Sequence, residues 1–378
     1  MGELYRYRER GVTSLIVVLF STLLFVVVSV GFMQLMTAEQ RASVDNELSR
    51  GAYDSALSGV EDGKRVLKAC MNGGADSAEA CAKIALGDCD TVSAAGLVTA
   101  KDGEVYLQSS SSNGVGGLAG KDYEQAYTCV KVARDTKDYV KNVTDDSSVL
   151  IPLRTVAPVD TVDISWFARS NSTSDTVELD PVGDLTAKLI AKSGWETNRP
   201  PVLRVQLMQY KGDDIDLSSL DGDNGHTVYL YPKSAGSSAL AFSLDARRSG
   251  AALTPTLVKC APTFVSAYAC TASITLPTRV GGPASNAMAA FLRITPIYNN
   301  AEISVMPKDS TTGAVKFHDL QPSIDSTGRA ADVFRRVEAR VETGDPIYPR
   351  ATVDITNNLC KVFSVTDSVD TYDAGICN

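Results

Sequence analysis

The residues able to do chemistry in this chain are scattered, and few are spaced for it. The acidic stretch 211–225, KGDDIDLSSLDGDNG, carries Asp213, Asp214, Asp216, Asp221 and Asp223. Loops of that composition hold calcium when six to eight oxygens converge. The EF-hand spacing fails here: with Asp221 and Asp223 as the first two ligands, Gly225 falls at the third and Pro232 at the twelfth. The stretch reads as a solvated surface loop, and no metal is expected. Residues 114–121, GVGGLAGK, brush two phosphate motifs. A P-loop needs glycine where Val115 stands and Ser or Thr where Asp122 stands, and no βαβ frame surrounds the dinucleotide-like Gly114, Gly116, Ala119. This too reads as a loop, and no cofactor is expected. The two histidines, His226 and His318, lie far apart and outside any HExxH frame, and no GxSxG elbow occurs. Nothing argues for catalysis, and the chain is read as no enzyme. Asn142-Val-Thr and Asn171-Ser-Thr match the glycosylation acceptor by composition alone. Net charge is −9, which argues against a nucleic-acid partner.

The cysteines are more informative. All eight, Cys70, Cys81, Cys89, Cys129, Cys260, Cys270, Cys360 and Cys377, follow one long apolar run. An even set on one side of a membrane span fits disulfides made in an oxidising compartment, and without a CxxC pair a zinc site is not expected.

The element that must position everything else is that run. Residues 12–36, VTSLIVVLFSTLLFVVVSVGFMQLM, contain no charge. At ~1.5 Å per residue they span about 37 Å, enough for a hydrocarbon core of about 30 Å. Arg6, Arg8 and Arg10 stand just before it, which predicts a cytoplasmic N-terminus and an extracytoplasmic body, with lipid around the run before any assembly. Residues 37–68 continue in helical period, with Val44, Leu48, Ala52, Ala56, Val60 and Leu67 on one stripe and charges between. The first proline is Pro152, so nothing forces a break, although Gly51, Gly59 and Gly63 weaken the outer half. The plain reading of such a segment is an uncleaved signal anchor.

A short basic leader ending in Gly11, an apolar helix opening with Val12-Thr13, an amphipathic continuation and a β-rich body together resemble type IV pilins and pseudopilins. The resemblance implies cleavage after Gly11 by a prepilin peptidase and methylation of Val12. The family usually begins with phenylalanine, so Val12 departs from it. Ile16 departs further, since major pilins carry glutamate at that fifth mature position, where it pairs with a neighbour's amine. A chain lacking that carboxylate resembles minor subunits of the PilX or GspK kind, some of which sit at filament tips. The resemblance covers about the first seventy residues. It implies other pilin subunits as partners through the N-terminal helix, a host or surface ligand for the body, and residence in an extracellular filament. The body is larger than a typical pilin's, which suggests the tip. A secretion-system pseudopilin and a signal-anchored, non-polymerising adhesin are the alternatives.

The expected partition is leader 1–11, transmembrane helix 12–36, amphipathic continuation 37–68, an irregular disulfide-stapled region 69–150 and a β-rich domain 151–378. Strands are predicted at 105–108, 127–133, 161–169, 201–210, 227–231, 239–246, 265–276, 291–298, 302–306, 315–319 and 332–342, from period-two alternation between turn clusters. The expected fold is α+β: a long N-terminal helix packed on an antiparallel β-sheet body, pilin-like, with an enlarged distal region built as a sandwich or meander. Cys260–Cys270 would staple a hairpin. Cys70, Cys81, Cys89 and Cys129 would pair among themselves. Cys360–Cys377 would close a C-terminal loop as the resemblance implies. Eight cysteines allow 105 pairings in all.

Overall fold

The computed structural model describes residues 9–72, 77–96, 98–101, 103–107, 125–145, 147–180, 186–211, 225–244, 254–282 and 288–343. They fall into two compact units. The first, a helix–sheet unit, joins the chain up to Thr136 to Asp319–Thr343; the second, a sandwich unit, takes Lys137–His318. The chain leaves the first unit, builds the second and comes back. The sequence partition at 150 holds no mark of that return.

Helix α1 (Glu9–Met71) runs unbroken for 63 residues, about 95 Å at ~1.5 Å per residue. It ends three residues later than expected, with the Asn72 N–H donating to the Lys68 carbonyl at 3.0 Å. Its outer half buries one stripe: Gly51, Ala52, Ser55, Ala56, Gly59, Val60, Gly63, Val66, Leu67 and Cys70. Spacings of three and four residues put these on one face. Val44, expected on the same stripe, is exposed. Region 69–150 is more regular than expected, since it holds α2 (Ser77–Leu86) and α3 (Thr91–Ala94) before β1 (Val105–Tyr106) and β2 (Gln125–Ala133).

The sandwich unit then follows in order: β3 (Tyr139–Val143), β4 (Val149–Pro152), β5 (Val159–Ala168), β6 (Val202–Lys211), β7 (Gly225–Lys233), β8 (Ala239–Ala241), β9 (Ser243–Leu244), β10 (Thr256–Lys259), β11 (Tyr268–Val280), β12 (Met288–Ile297), β13 (Ala301–Asp309) and β14 (Gly313–Ala314). One sheet has the order β10-β7-β6-β12-β4 with β9 on β7; the other has β14-β13-β5-β11-β8 with β3 on β13. Alternation made the core legible: Val162, Ile164 and Trp166 of β5 are fully buried, as are Ile274 of β11, Ile303 and Val305 of β13, Leu203, Val205 and Leu207 of β6 and Leu292 and Ile294 of β12. Two pairings depart from an antiparallel plan, β10 on β7 and β11 on β8, both parallel. Residues 315–319 form no strand; Phe317 makes a single bridge to Thr155 instead. Strands β3, β4, β10 and β14 were not anticipated, being short and without clean alternation, and neither was the strand at Ser323–Ala330, whose buried face is mostly small residues.

On return, β15 (Ser323–Ala330) and β16 (Val333–Arg340) complete a four-stranded antiparallel sheet, β1-β2-β15-β16. Its core joins Val60, Val66, Leu67 and Cys70 of α1 to Ile84, Val92, Tyr127, Val130, Val132 and Ile324. The long N-terminal helix packed on an antiparallel sheet, with a larger β-rich region besides, is the α+β architecture expected from the sequence.

The glycines of α1 serve this packing. A Cβ at Gly63 would lie 2.7 Å from Ile324 Cγ2, and one at Gly59 would lie 3.0 Å from Tyr127 Cγ and Val130 Cγ2. Helix propensity is given up so that helix and sheet can approach closely. The same face carries a polar tie, the Tyr127 hydroxyl donating to Asp62 Oδ2 at 2.7 Å. Burial first, then the adjoining carboxylate, holds the Tyr127 hydroxyl far above the usual tyrosine range. A hydrogen bond to a charged group contributes about 1.5–3 kcal/mol, so Tyr127→Phe should lower the stability of the helix–sheet unit by that amount in denaturant titration. A loss under about 0.5 kcal/mol would show the tie to be solvent-screened.

Candidate assembly surface and a buried polar core

Residues 14–46 of α1 are exposed apart from half-buried Ser29. They include a run of large apolar side chains, among them Leu15, Phe20, Leu24, Phe25, Phe32 and Met36, each more than half exposed. Apolar surface this continuous does not stay bare in water. The hydroxyls inside it are satisfied locally: Ser21 Oγ donates to the Val18 carbonyl at 3.1 Å and Thr22 Oγ1 to that of Leu19 at 3.0 Å. The segment is therefore long and apolar enough to cross a membrane. Beyond it, residues 37–50 alternate Glu39, Arg41, Asp45, Glu47 and Arg50 around the helix, and only the end of this stretch meets its own sheet, where Arg335 Nε donates to Ser49 Oγ at 2.8 Å. Chemically this surface can do two things: dissolve in lipid, or pack against like helices.

The sequence-derived site residues distribute as follows. Gly11 and Val12 lie within α1. The structure joins Cys70 to Cys81, Cys89 to Cys129 and Cys260 to Cys270. The first pair ties α1 to α2, the second ties the approach to α3 onto β2, and the third links the end of β10 to β11, strands of different sheets. Cys360 and Cys377, most of the acidic stretch 211–225 and the glycine-rich stretch 114–121 lie outside the described residues. His226 is buried in β7 and His318 follows β14, so the two are not brought together in a motif. Asn171 Oδ1 accepts from the Ala168 and Glu302 backbone N–H groups at 3.0 and 2.8 Å, which gives that side chain a structural task.

Sequence reasoning missed a polar cluster at one end of β7. Asp180 Oδ2 accepts from Arg199 Nη2 at 2.8 Å, Lys233 Nζ at 3.0 Å and the Tyr231 hydroxyl at 3.1 Å. Lys233 is 1 % exposed and Arg199 5 %, so both cations are taken out of water, which is tolerable only where a carboxylate meets them. The Arg199 guanidinium lies 4.0 Å from the centroid of Trp195, and Tyr298 stacks on Trp195 at 4.2 Å. Tyr298 holds this position with φ 87°, a backbone conformation rare outside glycine. Burial by itself would raise the Asp180 carboxyl, but the Lys233 hydrogen bond and the charges of Arg199 and Lys233 outweigh it and hold it below the usual carboxylate range. The available sequence signal was period two: Lys233 continues the face of Tyr229 and Tyr231 into a position that ought to be apolar. The cluster pins Asp180 and Arg199 onto the sheet; it presents no solvent-facing nucleophile.

Comparison with protein-family models, with curated proteins and with solved structures gives no match for this chain.

Proposed function

We propose that the chain is a minor subunit of a type IV pilus or a pilus-like filament, structural rather than catalytic, with the sandwich unit as a head that meets a host or surface ligand at the filament tip. The observation that carries the reading is the division of α1 into two halves. The inner half, uncharged and exposed on all sides, suits storage in the bilayer and later burial among neighbouring helices. The outer half is one-sided and belongs to its own sheet. Assembly exchanges lipid contacts for helix–helix contacts, in which small residues such as Ser21, Ser29 and Gly31 allow close approach. Ile16, in place of a carboxylate, supports a minor rather than a bulk role: a buried amine needs a partner, and this chain does not offer one at that position. Size supports the tip, since a whole unit inserted between β2 and β15 would crowd a shaft.

The mass of the chain recovered from sheared surface filaments tests the reading. Cleavage after Gly11, with a methylated Val12 as first residue, is the expected result. Recovery of a membrane-bound chain still beginning at Met1 would support the signal-anchored adhesin instead. Immunogold label at filament ends is expected, and label spread evenly along shafts overturns the tip position.

A further inference from the structure

The turn that ends in Arg199 has more buried donors than acceptors. The main-chain acceptors of residues 196–199 are all in use. Asn299 Nδ2 donates to the Glu196 and Arg199 carbonyls at 2.8 and 2.9 Å and to that of Thr197 at 3.4 Å. The Asn198 carbonyl accepts from the Glu178 N–H at 3.0 Å, and Asn198 Oδ1 from the Thr173 N–H and the Ser172 hydroxyl at 3.0 and 3.1 Å. Two donors are left over. Among the described residues, neither the Trp195 Nε1–H nor the Arg199 Nε–H meets an acceptor, although these residues are only 6 % and 5 % exposed. Buried donors of this kind ordinarily have a bound partner. Both belong to one stack. The guanidinium lies 4.0 Å from the indole centroid, and Tyr298 stacks on the same ring at 4.2 Å, 7° from parallel. Two partners so close cannot share one face of the indole, so both faces are covered. An acceptor therefore reaches Nε1 along the ring plane, at the rim of the stack. Asp180 and Glu196 take Nη2 and Nη1 of Arg199 and leave Nε.

We propose that this rim binds one small monovalent inorganic anion, chloride under ordinary conditions, held by the Trp195 Nε1–H and the Arg199 Nε–H. The ligand must accept and need not donate. A water that accepted both N–H groups would still have to place its own two hydrogens, and the acceptors of the turn are taken. An anion asks for no such return, and a charged donor strengthens its hydrogen bonds. Burial of both residues favours an ion of halide size. The site is independent of the proposed filament role. Halide titration of the full chain in detergent micelles, followed by tryptophan fluorescence, tests it. Iodide is the probe, because it takes the place of chloride and quenches an indole that it touches. At constant ionic strength, balanced with gluconate, iodide should quench one of the two tryptophans along a saturating curve. Once chloride fills the site, each tenfold rise in chloride should raise the iodide midpoint about tenfold. Trp166 is the internal reference, being fully buried with its Nε1–H already donating to the Pro201 carbonyl at 3.1 Å. Trp195→Phe removes one donor together with the reporter and should abolish the saturating component. If that variant does not fold, the competition in the wild-type chain decides alone. Quenching that rises linearly with iodide, that saturates without yielding to chloride, or that still saturates in Trp195→Phe overturns the site.

Discussion

Asp180→Ala lowers the stability of the sandwich unit by about 3–5 kcal/mol, the range for breaking a buried ion pair from one side. One carboxylate oxygen accepts from Arg199, Lys233 and Tyr231 together, and the variant removes it while both cations remain in the interior. Arg199 keeps Glu196 at 3.3 Å, but that carboxylate is half exposed and screened. Asp180→Asn, which keeps an acceptor and loses the charge, should fall between wild type and alanine. The readout is specific, because the only tryptophans are Trp166 and Trp195, both in this unit and Trp195 within the cluster itself. Denaturant titration followed by tryptophan fluorescence therefore reports the sandwich alone. Acid should act in the same direction. The folded Asp180 carboxyl titrates below its ordinary value, so its contribution is present in full above the unfolded value of about 3.9 and is lost as pH falls through the lower, folded value. The alanine variant should lack this component of the acid transition. A stability within 1 kcal/mol of wild type at neutral pH would mean that the cations relax into water, and the cluster would not be the clamp described above.

What was legible in the sequence follows physical range. The apolar run 12–36 and the alternation of Val162, Ile164 and Trp166 are local patterns, and each names its element without reference to the rest of the chain. Short strands such as β10, four residues long and parallel to β7, carry too little alternation to be seen. The return of the chain at Asp319 is invisible for another reason: β15 does not read as a strand at all, because its buried face is Ile324, Ser326, Gly328 and Ala330 with only one large apolar residue, and nothing in SIDSTGRA says that its neighbour is β2, almost two hundred residues earlier. Asp180 and Lys233 are similarly hidden, since a buried charge looks like a surface charge until its partner is known. The helix glycines were legible but misweighed. Gly51, Gly59 and Gly63 do lower helix propensity, yet each stands where a side chain would strike the sheet, and tertiary packing outweighs propensity.

The counterpart of those glycines lies on the sheet, and it gives the second large effect. Gly328→Val should abolish the packing of α1 on β15 and destabilise the helix–sheet unit by about 3 kcal/mol or more, at or beyond the top of the usual overpacking range. A Cβ at Gly328 would fall well inside 3.0 Å of the Ala52 carbonyl oxygen and the Ala56 amide nitrogen, and 2.9 Å from the Ala56 Cα. These are backbone atoms of a helix and cannot rotate aside as a side-chain tip would. The sheet side is no freer, for Gly328 sits at a register shift on β2 and pairs with Arg335 of β16. Helix and sheet must therefore separate along their length, taking with them the Tyr127–Asp62 hydrogen bond, whose donor pairs with Gly328 across the strands. Hydrogen exchange is the measurement. Protection should fall across residues 51–70 and 323–330, while the fluorescence transition of the sandwich unit stays where it was. Gly31→Ala is the matched control, because nothing lies within 4 Å of a Cβ there, and it should leave both readouts unchanged. If Gly328→Val kept wild-type protection over residues 51–70, the outer half of α1 would not be seated on β15. That half of the helix would then need support from something other than its own sheet.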